Sequence, residues 1–412
     1  MFIKKLLLAT TPKLCLGVLL VFSSSIGQTF FISLFSGEIR NEFSISHGMF
    51  GIFYSVATLV SAIVFFWLGK FADQFNLTHL GLITLGILSG FSFLISSAES
   101  IFILFLSLLG LRLFGQSMVS HIAVTAMARW HPKKKRGQAL SIALIGHPIG
   151  EALLPFLVTF FLLHFTWREI WVSISVCIII ILLPLVYWVG TNLKLHRLDS
   201  NIGLLPESKK SLNVSWNRSQ VLKDLRFYQI IPGLIASPFI VTGFFFHQIH
   251  LIEIKSWSIT LLASSYPFFA LSVVGSTFAA GWIIDRFSTV HLLRIFLLPL
   301  AFGLMLLAST DKTVALPISM LLIGASAGVA TIVISALWVE LYGIDYIGSI
   351  RSMCFSLVVL STSISPALMG LLLDIGITLE VQFIILATYI LICSIGFAVL
   401  TPNLLIFRTP PS

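Results

Sequence analysis

A chain of 412 residues that is 57% hydrophobic and only 10% charged, with a mean hydropathy of +1.03, falls outside the soluble globular class, where about a quarter of residues are charged. Its formal net charge of +9 does not point to nucleic acid. The basic residues gather in short polar segments between apolar runs, the pattern that sets membrane orientation.

A membrane-crossing helix needs about 20 mainly apolar residues. Twelve such segments are predicted, at 14–36, 49–69, 79–97, 101–128, 138–163, 170–190, 227–249, 258–281, 290–308, 314–339, 349–373 and 381–401. The chain starts Met1-Phe-Ile-Lys-Lys, like a signal peptide, but lacks a small-residue cleavage site, so the first run is expected to remain as a span. Residues 191–226 are the long polar interruption, expected to be a cytoplasmic linker with a surface helix near Val221–Phe227. The expected fold is an all-α membrane protein of twelve transmembrane helices in two pseudo-symmetric six-helix bundles, 1–190 and 227–412. With both termini cytoplasmic, 20 of the 25 Lys and Arg fall on inner segments, the run Lys133-Lys-Lys-Arg136 among them. Cys15, Cys177, Cys354 and Cys393 show no metal-ligand spacing and are expected to be buried packing residues.

One short signature occurs twice. Gly69-Lys-Phe-Ala-Asp73 follows the second run, and Gly281-Trp-Ile-Ile-Asp285-Arg286 follows the eighth, 212 positions later. A duplicated bundle with a binding site between its halves is the plan of a secondary carrier. Arg112, Gly115 and Gln116 in the fourth run, and Gly146-His-Pro-Ile-Gly150 in the fifth, add two further patterns. On these residues the chain resembles the major facilitator superfamily over nearly its whole length. Three departures limit the resemblance, one being that Ile259–Gly281 lacks the Asp and Arg of the monocarboxylate-transporter branch. Gln74, Phe75 and Asn76 stand where the family usually has basic residues, and the fifth run lacks the Gly-Pro order of drug antiporters. The resemblance implies a secondary active transporter that works by alternating access. It also implies a conformational latch at Gly69, Asp73, Gly281, Asp285 and Arg286.

The residues themselves suggest why. Glycine lets two helix ends approach closely, and a carboxylate near a helix start meets its positive end; a simple cap is the plainer reading. Arg112 is the one basic residue well inside a run, and Glu151 the one acid. At about 1.5 Å per residue, Arg112 lies roughly 26 Å from Arg129 and Glu151 roughly 22 Å from Arg136, so both sit at similar depth. The sequence allows an ion pair or a water-bridged pair, with His147 one turn from Glu151. Burial favours a protonated carboxylate and a neighbouring Arg an ionised one, so Glu151, Arg112 and His147 form a candidate proton relay. A permanent buried pair that fixes packing is the rival reading. His121, half a turn off the face of Arg112, is left out. Substrate-binding candidates are Gln28, Phe31, Gln116, His247, Gln248 and His250; Phe244-Phe-Phe with His247 reads either as a solute patch or as an interfacial aromatic belt. Glu340 is expected to pair with Arg286 or Arg351.

No phosphate-binding glycine loop, zinc motif or nucleophile–base set is present, so neither an enzyme nor a cofactor is expected. The expected partners are a small-molecule substrate, protons and the lipid bilayer, with the chain a monomer in a plasma membrane of bacterial inner-membrane type. Import and export both remain open. A non-transporting sensor with the same fold is the alternative.

Overall fold

In lipid every backbone N–H and C=O must find its partner within the protein, which leaves such a chain little choice but helix. The computed structural model describes residues 2–131, 136–192, 216–343 and 346–404. Lys133–Lys135 of the basic run and residues 193–215 of the linker lie outside the described residues. Eleven described helices are long and apolar enough to cross a membrane, and one bent pair makes a twelfth span. They are α1 (Pro12–Gly27 with Thr29–Phe43), α2 (His47–Leu68), α3 (Leu77–Ser96), α4 (Ile101–Trp130), α5 (Arg136–Leu162), α6 (Trp167–Thr191), α7 (Leu225–Phe246), α8 (Ile259–Ile284), α9 (Thr289–Ser309), α10 (Ala315–Tyr342), α11 (Ser349–Asp374) and α12 (Leu379–Pro402).

The breaks in α1 and α5, and the turn that follows α7, each have a local reason. The two parts of α1 meet at 50°, because Gln28 is extended at φ −82°, ψ 154°. Just before it, Ser23 Oγ donates to the Leu19 carbonyl at 2.7 Å and Ser24 Oγ to that of Val21 at 2.6 Å. Such side-chain bonds compete with the helical ladder, and Gly27 adds a weak helix former. Phe31 and Ile32 both turn their amides to the Gln28 carbonyl, at 3.2 and 3.1 Å, so the Gly27 carbonyl loses the amide it would have accepted. In α5 the break falls at Ile145, where Pro148 has no N–H to give to the Leu144 carbonyl. At the end of α7, His247 turns at φ −98°, ψ 14° into a short helix, Gln248–Ile254.

The chain divides into two compact units, Met1–Leu204 and Leu205–Ser412. In the first, α1 crosses α4 and α5 on glycines. A Cβ added at Gly115 would fall 2.8 Å from Gly27 Cα, and one at Gly146 would fall 2.7 Å from the Phe22 amide nitrogen. Small residues let membrane helices approach this closely. The second unit repeats the device, with Gly324 of α10 packed against the Phe269 carbonyl of α8.

Each unit also carries a polar clasp where its first span stops and its last begins. In the first, Arg168 pairs with Glu42 at 2.5 Å and donates to the Ser96 and Ala98 carbonyls, each at 2.6 Å. Trp167 Nε1 donates to the same Glu42 carboxylate at 2.8 Å. In the second, Lys255 pairs with Asp311 at 2.6 Å and Glu380 at 3.3 Å, and Trp257 Nε1 donates to the Asp311 carbonyl at 2.6 Å.

Several sequence expectations need correction. The segment near Val221–Phe227 is not a surface helix: Val221 and Phe227 are buried, and a short helix at Arg218–Val221 leads into α7. Arg226 is buried too, paired with Asp224 at 2.8 Å, whose carboxylate also accepts the Tyr342 hydroxyl at 3.1 Å. Cys354 is buried as expected, but Cys15 and Cys177 are exposed, because the outer faces of α1 and α6 can meet lipid and need no protein cover. Phe244, Phe245 and Phe246 are neither a belt nor an open patch. They are buried, with Phe245 stacked on Tyr266 at 5.5 Å and set edge-on to Phe269 at 4.9 Å.

Candidate functional site

The bend of α1 organises the polar interior of the first unit. Arg112, in a π-helical stretch of α4 (Leu111–Val119), is only 2% exposed. Its Nη1 donates to the orphaned Gly27 carbonyl at 3.0 Å and to Thr29 Oγ1 at 3.4 Å, and its Nε donates to Thr58 Oγ1 at 3.0 Å. The guanidinium lies over the Tyr54 ring, 5.0 Å from its centroid, and the Tyr54 hydroxyl donates to Thr29 Oγ1 at 2.9 Å. A buried cation is costly without partners; here the break supplies them. The arginine replaces the hydrogen bond that the bend removed.

This overturns the direct ion pair that the sequence allowed. Every contact of Arg112 is to Gly27, Thr29, Thr58 or Tyr54, and none is to Glu151. Glu151 is half-buried in α5, immediately after Gly150, where an added Cβ would fall 2.9 Å from Ser25 Cβ. Glu151 therefore sits beside the bend without joining the Arg112 network. His147 is half-buried one turn earlier on the same helix. Ile149, Leu153, Phe156 and Phe160 are exposed and lie on the opposite side of α5 by helical spacing. The carboxylate thus faces away from these four residues.

The substrate candidates separate into two groups. Gln28 and Gln116 are half-buried at the bend, and the Gln116 backbone packs directly on Gly27. Phe31, by contrast, is 1% exposed and set edge-on to Trp171 of α6 at 5.6 Å, which makes it a packing residue. In the second unit His247 and Gln248 are buried. His247 Nε2 meets the Pro366 carbonyl at 3.2 Å, and Gln248 Oε1 accepts the Tyr266 hydroxyl at 2.5 Å. These two side chains hold the turn at the end of α7, so the open recognition patch expected there is not formed. His250 is half-buried, 3.7 Å from Glu253.

The latch residues show less than the motif implied. An added Cβ at Gly281 would meet nothing within 4 Å, and one at Gly69 would meet only Phe65 of its own helix. Among the described residues, neither glycine shows the close approach of a second helix expected of it. The side chains of Asp73 and Asp285 lie outside the described residues. Arg286 stacks over Trp282, 4.2 Å from the ring centroid. Glu340 pairs with neither Arg286 nor Arg351; it accepts the Thr289 amide at 2.9 Å and the Ser288 hydroxyl, which caps the start of α9.

Sequence reasoning missed Thr29, Tyr54 and Thr58, and it named His121 only to leave it out of the relay. His121 Nε2 lies 3.2 Å from the Gly69 carbonyl, tying α4 to the first loop signature. A signal for Tyr54 was present: Tyr54 and Tyr266 stand 212 positions apart, the period of the loop signature, and each hydroxyl bonds a polar residue at the break of its unit's first span. Among the described residues no group of three or more His, Cys, Asp and Glu could hold a metal ion.

Comparison with known proteins places this geometry. The model of the Major Facilitator Superfamily matches residues 17–366. No curated protein sequence matches the chain. Among solved structures, an inward-facing, unoccupied bacterial homolog of the human lysosomal transporter Spinster superposes with a TM-score of 0.73, at 15% identity, over 97% of this chain and 98% of that one. The nucleoside transporter NupG superposes with a TM-score of 0.70, at 14% identity, over 96% and 100%. At such identity the likeness is one of fold alone. With a helical membrane architecture, a polar bend buried at span depth and a family match over most of its length, the chain belongs to the Major Facilitator Superfamily and is a secondary transporter, not an enzyme.

Proposed function

We propose that the protein carries a small organic solute across the membrane by alternating access, coupled to protons through Glu151. One observation carries this reading. Arg112 is enclosed by the bend of α1, which leaves Glu151 as a span-depth carboxylate outside the Arg112 network and without an ion pair among the described residues. A carboxylate in such a place exchanges its charge rather than holding it permanently. His147, one turn away, is the adjacent proton carrier, and Arg112 acts by fixing the bend beside it. Gln28 and Gln116 supply neutral hydrogen-bonding groups at the same bend. Asp73, Asp285 and Arg286, with Gly69 and Gly281, form the latch of one alternating state.

The Lys and Arg distribution supports cytoplasmic termini; a plasma membrane of bacterial inner-membrane type and a monomeric chain complete the reading. Reconstitution tests the coupling: Glu151→Gln is expected to abolish uphill uptake and its pH dependence in proteoliposomes. Uptake that kept both in that variant would remove Glu151 from the mechanism.

A further inference from the structure

Arg112 and Glu151 are the only Asp, Glu, Lys or Arg side chains more than five residues from the end of a span. They do not offer their charges equally. The guanidinium is 2% exposed and has its acceptors within the first unit, so its charge is withheld from any solute. Glu151 is half-buried on the side of α5 away from its exposed apolar residues. In the second unit, the described spans α7 to α12 carry their charged residues within five residues of their ends. The accessible polar surface at the bend is therefore a carboxylate, an imidazole and the two amides of Gln28 and Gln116.

Resting on the transport reading above, we propose that the carried solute is an organic cation and that Glu151 is its counter-ion. A bare carboxylate in low dielectric is costly and is relieved either by a proton or by a positive group. Solute and proton then alternate on one site: as the cation binds, Glu151 gives up its proton, and the net charge at the bend stays constant. An organic anion meets the same carboxylate as a like charge, while the Arg112 guanidinium at the bend is already held by its own acceptors.

The surrounding ionisable groups leave Glu151 in control of this exchange. His147 precedes it by one turn. In α1, which packs against α5, Lys13 and Cys15 stand about 18 and 15 Å along the helix from Ser25, the residue against Gly150. Arg136 is about 22 Å away along α5. Arg168 and Glu169 of α6 are held at its start by Glu42 and Thr166.

The test uses the purified full-length protein in detergent. A panel of alkylammonium and arylphosphonium ions is compared with size-matched carboxylates and sulfonates, read by thermal shift and by equilibrium binding. The cations are expected to bind, with the apparent Kd rising about tenfold per pH unit on the acid side of the Glu151 titration, as one proton competes with one solute. Glu151→Gln should weaken binding at least about tenfold and flatten that slope, while Glu151→Asp, which keeps the charge, should restore the slope. Binding of the anions instead, or cation binding equally tight and equally pH-dependent in Glu151→Gln, overturns the proposal. Proton-coupled exchange of an anion would remove the substrate class and leave proton coupling standing. Cation binding at Glu151 with no proton movement in vesicles would do the reverse.

Discussion

Arg112 shows how a charge buried within a membrane span can be structural. Its donors meet a carbonyl that the α1 bend leaves without an amide, and two threonine hydroxyls. Arg112→Leu leaves the Gly27 carbonyl unsatisfied in the interior, at a cost of about 1–3 kcal/mol, and is expected to lower the thermal unfolding midpoint by several degrees. Arg112→Lys keeps the charge but cannot reach three acceptors with the same geometry, so it should fall between wild type and Leu. The depth of Arg112 and Glu151 was legible in the sequence, because both are isolated charges inside apolar runs. Their separation was not. Whether they touch depends on the Ser23–Gly27 bend, which turns the arginine toward a backbone carbonyl, and no spacing rule reports where an orphan carbonyl will appear. Phe31, His247 and Gln248 show the same limit: polarity and depth suggested open contacts, and packing buried them.

At the scale of helices, glycine position decides how the bundles close. Gly27 and Gly115 lie backbone to backbone, whereas Gly281 faces open space. Gly115→Ala should therefore destabilise the protein by about 1–3 kcal/mol through overpacking. Gly281→Ala should be neutral or slightly stabilising, since alanine is the better helix former. Thermal unfolding of the two variants side by side checks this contrast, and equal effects would mean that the α1–α4 crossing is looser than described. The clasps invite a second comparison. Arg168 holds Glu42 and two carbonyls, so Arg168→Ala should cost more than Glu42→Ala, whose partly exposed pair is worth about 1 kcal/mol or less. The spans were legible from hydropathy, but the break in α1 was not, because hydropathy averages across a single extended residue.

Across the whole molecule the duplication runs deeper than the loop signature. Arg168 and Glu380 stand 212 positions apart, and Glu42 and Lys255 stand 213 apart, so the two clasps occupy matching places with their charges exchanged. The junction is thus repeated with its sign inverted. Arg112 has no such counterpart. The position 212 further on is Gly324, which packs on α8, so the charged bend belongs to the first unit alone. On the proposed reading, ion coupling then falls to one half of a duplicated body. The most direct test is proton movement in proteoliposomes when the transported solute is added, followed with a pH-sensitive dye. Wild-type protein is expected to move protons in step with solute, and Glu151→Gln to move none; a proton flux undiminished in that variant would contradict the account.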